Sequence, residues 1–227
     1  MSCKKRLIVF ILIVLGGFTL PAIAHALRKS DESSKGAYFG LNIPYTTVSG
    51  DFDGNKYFTE GFTIPEIEAN IGFEAVAGFK WISNSGFGYG FELGYQRSSH
   101  NTSWAGYEDE ANLNSFDISA LAFYSAMPLE PYLIMGLMTP WLNVDQSSIE
   151  GENIDFHDDF QYRGYGFKVG LGCDFYLSPQ LALNVRTLYR MIRFDRIKKG
   201  GEIELARALK GDGLGLAGGL VYYLTLD

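Results

Sequence analysis

The stretch Tyr165–Tyr176, YGFKVGLGCDFY, decides the fold because its residues alternate between two kinds of side chain. The odd positions are apolar or aromatic, whereas the even positions are mainly glycines and charged residues. A β-strand places alternate residues on opposite faces. A row of large apolar residues is typical of a lipid-facing surface, and glycines with isolated charges are typical of a narrow lumen. The pattern therefore predicts a strand of a membrane-spanning barrel.

The same alternation recurs in eight predicted strands: Gly36–Thr46, Glu68–Trp81, Gly86–Arg97, Asn114–Ala126, Pro131–Val144, Gly164–Tyr176, Gln180–Ile192 and Gly213–Leu226. Long and tight connections alternate between them; the long ones are Thr47–Ile67, Ser98–Leu113, Asp145–Arg163 and Arg193–Asp212, and the tight ones are Ile82–Ser85, Met127–Glu130 and Leu177–Pro179. Bacterial barrels have short periplasmic turns and longer extracellular loops. The predicted fold class is all-β, an eight-stranded antiparallel up-and-down transmembrane β-barrel in the bacterial cell outer membrane.

The segment 1–26 is interpreted as a secretory signal peptide. Basic residues at positions 4 to 6 precede an apolar run from Leu7 to Leu20, and small residues follow that run. This order is typical of a signal peptide, and cleavage after Ala24 or after Ala26 is equally compatible with it. Residues 27–227 are then expected to form a single outer-membrane β-barrel domain.

The composition of the mature chain excludes some classes of partner and bond. Removal of Lys4, Lys5 and Arg6 with the signal peptide changes the formal charge from -7 to -10, which argues against nucleic acid as a partner. Of the two cysteines, Cys3 leaves with the signal peptide, so Cys173 has no partner for an intrachain disulfide. We expect a monomer stabilised by barrel closure.

The inward-facing positions predict a lumen charge network. Its expected members are Glu74, Lys80, Glu92, Asp117, Lys168, Asp174, Arg186 and Arg190. The lumen of an eight-stranded barrel is just wide enough for side chains to fill it, so we expect these charges to pair with one another. A small gated conductance is the alternative.

Aromatic residues are expected to form a girdle at each membrane interface, where amphipathic rings are favoured. The predicted periplasmic girdle is Tyr38, Trp81, Phe87, Tyr132, Phe175 and Tyr222, and the predicted extracellular girdle is Tyr45, Tyr95, Trp141, Tyr165 and Tyr189. The pattern leaves the facing of the fifth strand open.

Three segments resemble the small OmpA/OmpX-like family of outer-membrane barrels, which includes opacity-type and surface-antigen barrels. Gly170–Met191 is similar to a strand-turn-strand hairpin of that family, Gly36–Leu41 to its opening strand, and Pro131–Gly136 to its fifth strand. Members usually end on an aromatic residue that the barrel-assembly machinery recognises, whereas this chain ends on Asp227 and its last aromatic is Tyr223. The resemblance implies the fold, and partners that include outer-membrane lipid, lipopolysaccharide and the barrel-assembly machinery.

The resemblance also implies a role as a structural anchor, adhesin or surface antigen, with a host surface or matrix protein as a possible loop partner. The loops are acidic except the fourth, Arg193–Asp212, which is basic and could touch lipopolysaccharide phosphates.

We assign no catalytic, cofactor-binding or metal-binding residue. His100 and its neighbouring serines do not match the His-x-Ser pattern of barrel deacylases, and the acidic segment from Asp51 lacks the glycine and glutamate positions of an EF-hand loop. A non-enzymatic barrel that displays extracellular loops is the leading hypothesis. The alternatives are a small porin-like channel and, less favoured, a lipid A-modifying enzyme.

Overall fold

A computed structural model describes residues 34–53, 56–57, 63–64, 66–83, 85–104, 107–144, 160–199 and 201–225. The predicted signal peptide lies outside these residues. The described strands are β1 (Ser34–Thr46), β2 (Lys56–Tyr57), β3 (Thr63–Ile64), β4 (Glu66–Ile67), β5 (Asn70–Ile82), β6 (Phe87–Trp104), β7 (Tyr107–Tyr124), β8 (Leu129–Val144), β9 (Phe160–Tyr176), β10 (Leu181–Lys199), β11 (Gly201–Lys210) and β12 (Gly213–Thr225). In the described part of the chain, no helix has the length and apolar character needed to traverse a bilayer.

Eight of these strands form a closed antiparallel ring in the order β1, β5, β6, β7, β8, β9, β10, β12. The ring closes where β12 pairs with β1, from Gly36 opposite Thr225 to Thr46 opposite Gly215. Closure gives the backbone groups of the wall partners within the sheet, which a lipid environment requires. The predicted eight-stranded up-and-down barrel is therefore confirmed.

The two faces of the wall differ as the alternation predicts. On β9, Leu171 is 57% exposed, whereas Lys168 is 2% exposed and points inward. The outward rows of the other seven barrel strands are likewise apolar and exposed. The inward rows of β1, β5, β6, β7 and β10 carry buried polar residues, whereas those of β8 and β12 are mainly apolar residues or glycine. A continuous apolar outer surface of this extent is suited to lipid contact.

Two of the predicted long loops are instead β-structure. β6 and β7 continue past the predicted ends until Trp104 pairs with Tyr107, so most of Ser98–Leu113 is a hairpin. β10 continues to Lys199 and pairs with β11, so Arg193–Asp212 is also a hairpin, with an irregularity between Phe194 and Arg196. From Ser98 to Ser103 of β6 both faces carry polar residues, and on β10 the irregularity after Phe194 interrupts the alternation, so the pattern that identifies strands is weaker in both hairpins.

The first connection contains the 3-10 helix Gly50–Phe52, the pair β2–β3 and the strand β4, which pairs with β6. The third connection differs from its prediction at one end, because β9 begins at Phe160. Residues 145–159 lie outside the described residues.

The turns at the opposite end of the barrel are tight, as predicted. Gly86 has a φ of 84°, a conformation that glycine adopts without steric penalty, and its amide donates to Ser83 O at 2.9 Å. The Ser178 hydroxyl accepts the amides of Gln180 and Leu181 at 3.3 and 3.1 Å, which fixes the last turn. These turns mark the periplasmic end, and the hairpins mark the extracellular end.

The interior has two zones. The periplasmic and middle zone is polar, whereas the extracellular end holds an apolar cluster that we call the upper apolar cluster: Val48, Phe52, Ile67, Ala111, Leu113, Met138, Leu142, Val144, Tyr162, Ile192, Phe194, Ile197 and Leu209. Phe52 enters it from the 3-10 helix and contacts the rings of Tyr162 and Phe194 edge to face. The first connection thus contributes to the interior of the extracellular end.

Candidate functional site

The polar lumen is the largest concentration of charged side chains inside the described barrel. All eight residues of the predicted lumen charge network are buried on the inner face, on β5, β6, β7, β9 and β10. Seven of them take part in ion pairs, and Arg190 is the exception among the described residues. The barrel geometry brings them together in three groups.

The middle group is centred on Arg186, which is 1% exposed. Its Nη1 lies 2.8 Å from Glu92 Oε1, and its Nε lies 3.1 Å from Glu74 Oε2. Asn42 Nδ2 donates to Glu74 at 3.0 Å, and the Tyr38 hydroxyl donates to Glu92 at 3.0 Å. One guanidinium therefore joins two carboxylates from neighbouring strands, and each carboxylate has a further neutral donor.

The periplasmic group is centred on Lys80. Its ammonium donates to Glu130 Oε1 at 2.6 Å, to Asp174 Oδ2 at 2.8 Å and to the Tyr223 hydroxyl at 2.7 Å. It also lies 5.1 to 5.5 Å from four ring centroids, those of Tyr38, Phe123, Tyr132 and Tyr223. Cation–π contact and two carboxylates together compensate the desolvation of this buried charge.

The third group is a pair, in which Lys168 Nζ donates to Asp117 Oδ1. The Ser119 hydroxyl adds a donor to the same carboxylate oxygen at 3.3 Å. Arg190 differs from the other cations because its Nη2 donates to the Thr47 carbonyl at 3.0 Å, whereas its Nε and Nη1 have no partner among the described residues.

Seven buried polar or aromatic groups of this network were not predicted: Tyr38, Asn42, Ser119, Glu130, Tyr132, Asn184 and Tyr223. Glu130 was assigned to a tight turn, but it begins the inward-facing row of β8. Tyr38 and Tyr132 were predicted in the periplasmic girdle, and that prediction is wrong because both rings point into the lumen.

Cross-strand glycines explain how the inward-facing tyrosines are accommodated. Gly78 stands opposite Tyr38 and Gly172 opposite Tyr132, and a Cβ at either glycine would overlap the ring. Gly78 and Gly172 were therefore the sequence signals for an inward-facing tyrosine on the neighbouring strand. They can be interpreted only when the strand register is known. On β8, apolar residues such as Leu133 and Ile134 occupy both faces, so alternation could not decide its facing.

The lumen has little free space. A cavity of about 10 Å³ lies between Tyr38, Lys80, Tyr132 and Arg186. A volume of this size is at the lower limit for one water molecule. The described wall and its lumen side chains therefore leave no passage here for a larger solute.

His100 is completely buried near the extracellular end of the lumen. Its Nδ1 donates to the Glu68 carbonyl oxygen at 2.8 Å, so in the neutral ring Nε2 accepts from the Ser98 hydroxyl at 2.8 Å. A catalytic triad requires an acidic group that orients the histidine. Among the described residues, no carboxylate bonds to His100, and its contacts are those of a structural histidine.

The sequence segment that suggested a calcium loop is only partly described. Asp51 accepts the backbone amide of Lys210 at 2.8 Å and lies 3.5 Å from Arg207 Nη2. Its carboxylate thus links the first connection to β11. Within the described residues, no group of histidine, cysteine, aspartate and glutamate side chains is arranged to hold a metal ion.

The remaining predicted girdle residues lie on the outward face. At the periplasmic end, Trp81 stacks on Tyr89 with ring centroids 5.4 Å apart. At the extracellular end, Phe116 lies 5.0 Å from Tyr95 and 5.5 Å from Trp141. Aromatic clusters at these two levels mark the membrane interfaces.

Comparison with known proteins places these features in a family. The profile described as "Outer membrane protein beta-barrel domain" matches residues 10–220. No curated protein matches the sequence.

Several solved barrels are similar in structure. Neisserial surface protein A (NspA) has 16% identity, with 82% of this chain and 96% of that chain covered, and a TM-score of 0.48. Ail, the attachment invasion locus protein of Yersinia pestis, solved in complex with the heparin analogue sucrose octasulfate, has 12% identity, 85% and 99% coverage and a TM-score of 0.42. The outer membrane protease OmpT from Escherichia coli has 9% identity, 86% and 99% coverage and a TM-score of 0.45. Likeness at this level identifies no ligand and no activity for the present chain.

Proposed function

Because the chain belongs to the family of outer membrane protein β-barrel domains and is located in the bacterial outer membrane, we propose that it is a non-enzymatic display barrel. The term means a rigid wall that holds extracellular hairpins where other molecules can contact them. The role of those hairpins is structural anchoring, adhesion or exposure as a surface antigen. A rigid scaffold with exposed connections is a common arrangement for binding proteins.

The filled lumen is the observation that carries this proposal. Arg186 and Lys80 each join two buried carboxylates, and the cavity beside them has room for about one water molecule. Unpairing such charges in a narrow interior is costly. The lumen residues therefore stabilise the wall, which leaves the extracellular hairpins as the surface for recognition.

The upper apolar cluster supports the same conclusion. It lies between the polar lumen and the extracellular end, and Phe52 is completely buried within it. A packed apolar layer gives no hydrogen bonds to a hydrated ion or polar solute. Passage of such solutes would require the first connection to leave the barrel mouth.

The hairpins extend well beyond the membrane. From Tyr95, in the extracellular aromatic cluster, β6 continues to Trp104, a distance of about 30 Å along the strand at about 3.4 Å per residue. β10 and β11 form the second extension and carry exposed charges of both signs, including Lys198, Glu202 and Arg207. These surfaces have no evident role in closing the barrel.

The test shortens the β10–β11 hairpin and removes one member of the upper apolar cluster, Ile197, while the other twelve members remain. Phe194 and Leu209 are paired and belong to that cluster, so residues 195–208 can be replaced by Asn-Gly, which favours a tight hairpin turn. Cells that produce this variant should retain a folded, heat-modifiable barrel but lose binding to extracellular matrix or serum proteins that cells with the intact barrel show.

The matched control changes the lumen and leaves the hairpins intact. Arg186→Met combined with Glu74→Gln and Glu92→Gln removes the middle group. We expect this variant to bind as the wild type does. If the hairpin variant keeps full activity and the lumen variant loses it, or if the wild type shows discrete conductance steps in planar bilayers, a channel function is the better account. Hydrolysis or acyl transfer on lipid A by the purified barrel would instead identify an enzyme.

A further inference from the structure

The ring of His100 contacts the residues on either side of the first connection. That connection, Thr47–Ile67, leaves β1 after Thr46 and ends just before Glu68. His100 Nδ1 donates to the Glu68 carbonyl oxygen at 2.8 Å, and His100 Nε2 lies 3.5 Å from the Thr46 hydroxyl oxygen. One imidazole on β6 therefore holds both ends of the first connection against the barrel.

Arg190 on β10 holds the start of the same connection. Its Nη2 donates to the Thr47 carbonyl oxygen at 3.0 Å. Further along the connection, Phe52 is completely buried in the upper apolar cluster. His100 and Arg190 thus anchor a segment whose apolar side chains fill the extracellular end of the lumen.

The surroundings of His100 suit a neutral ring and oppose a charged one. The side chains that face it from β1, β6 and β7 are neutral, namely Thr46, Ser98 and Ala111. The charged side chain that acts on the ring is Arg190, and Glu68 contacts the ring through its backbone while its own side chain is exposed. Within the described residues, no carboxylate bonds to His100, so a protonated ring would be a second cation beside Arg190.

This arrangement makes protonation of His100 dependent on its exposure. His100 lies five residues beyond Tyr95, about 17 Å along the strand at about 3.4 Å per residue, and so outside the membrane. Burial lowers the pKa of His100 below its ordinary value of 6.5; the bond to the Glu68 carbonyl raises the pKa, and the charge of Arg190 lowers it. The net direction is downward, so the buried ring is neutral near pH 7. A ring exposed to water regains the ordinary pKa, and exposure is therefore favoured as the pH falls below about 6.5.

We propose that His100 is an acid-sensitive latch, which holds the first connection in the barrel mouth at neutral pH and releases it in acid. A buried charge without a counter-charge is costly, and the protonated ring reaches water when the connection moves aside. The same movement separates Thr47 from Arg190 and takes Phe52 out of the upper apolar cluster, because both contacts belong to one segment. The extracellular surface of the barrel then differs between neutral and acidic surroundings. The latch does not depend on the proposed display function.

The test measures hydrogen exchange of the full barrel in bilayers by mass spectrometry, at about pH 7.5 and about pH 5, with rates corrected for the intrinsic effect of pH on exchange. Histidine titrates between these values, while carboxylates of ordinary pKa stay ionised. Protection of the amides in residues 47–53 should fall in acid by up to about 30-fold, the ratio for one ring that has a pKa of about 6.5 when exposed and a much lower pKa when buried. The amides of Gly86 and Ser125 at the periplasmic turns should keep their protection, because the release is local.

His100→Gln is expected to abolish the acid response, because glutamine offers an amide donor and a carbonyl acceptor but takes up no proton. His157→Gln is the matched control. It removes the other histidine of residues 27–227, which lies outside the described residues, and it should respond to acid as the wild type does. Unchanged protection of residues 47–53 in acid would overturn the latch. So would an equal loss in His100→Gln and the wild type, or a loss that extends to the periplasmic turns.

The pH profile of His157→Gln decides the question if His100→Gln leaves residues 47–53 unprotected at both pH values. In His157→Gln, His100 is the one side chain of residues 27–227 whose ordinary pKa lies between about pH 5 and 8. The loss of protection should therefore begin near about pH 6.5 and approach about tenfold per pH unit, the slope for one proton. A loss that begins at a pH more than about one unit away would overturn the proposal.

Discussion

Replacing Arg186 with methionine tests whether the lumen network stabilises the barrel. Methionine is close to arginine in length and remains compatible with a packed interior. The change leaves Glu74 with the Asn42 amide as its hydrogen-bond donor and Glu92 with the Tyr38 hydroxyl. Both carboxylates are at most 3% exposed, so they become buried charges without a cation in contact.

The expected loss follows from this burial. Removing one partner of a buried ion pair destabilises a protein by about 3–5 kcal/mol. The loss should appear in urea unfolding of the barrel in lipid bilayers, followed by tryptophan fluorescence and by the heat-dependent gel shift. Adding Glu74→Gln and Glu92→Gln to Arg186→Met should recover most of it, because a fully neutral interior has no uncompensated charge.

The loss of an exposed ion pair gives the reference value for this destabilisation. Arg207→Met removes a surface pair with Asp51, for which about 0–1 kcal/mol is expected. If Arg186→Met costs no more than Arg207→Met, water screens the lumen charges. The closed lumen on which the display function depends would then be refuted.

Two further predictions concern the wall. On the outward face of β9, Val169→Arg near mid-strand should destabilise the barrel by about 2–4 kcal/mol, whereas Cys173→Arg, close to the periplasmic turn, should cost about 0–1 kcal/mol, as measured by urea unfolding in bilayers. Equal costs would contradict the assigned membrane level. On the inward face, Gly172→Ala should reduce the free energy of unfolding by about 1–3 kcal/mol because the added Cβ overlaps the Tyr132 ring. Truncating that ring in the same chain should remove the clash, so the two changes together should cost less than the sum of their separate costs. Costs that add fully would contradict the contact.

The part of the fold that the sequence predicts is the part inside the membrane. There the two faces of each strand meet lipid on one side and a narrow polar lumen on the other, so alternation is strong. On β9 it assigned Lys168 and Asp174 to the inner face and Leu171 to the outer face, where the structure has them. The tight turns carried their own signals, such as Gly86 and Ser178.

The extracellular hairpins were missed because that contrast ends at the membrane surface. From Ser98 to Ser103 the residues of β6 are polar on both faces, and they are in a strand because β7 pairs with them. The inward facing of Tyr132 was also beyond the sequence, since both faces of β8 carry apolar residues. Neighbouring strands decided these features.

The partners of the lumen charges depend on strand register and on distance across the barrel. Lys80 meets Asp174, which is 94 residues away in the chain, and Arg186 meets Glu74, which is 112 residues away. Arg163 and Arg196 likewise fall opposite each other because of an irregularity in β10. By itself the sequence determined the facing of the charged wall residues such as Lys168 and Arg186, because their strands alternate clearly between apolar and polar positions. The tertiary structure decided which charges pair and which stay unpaired, because pairing depends on how distant strands align when the barrel closes.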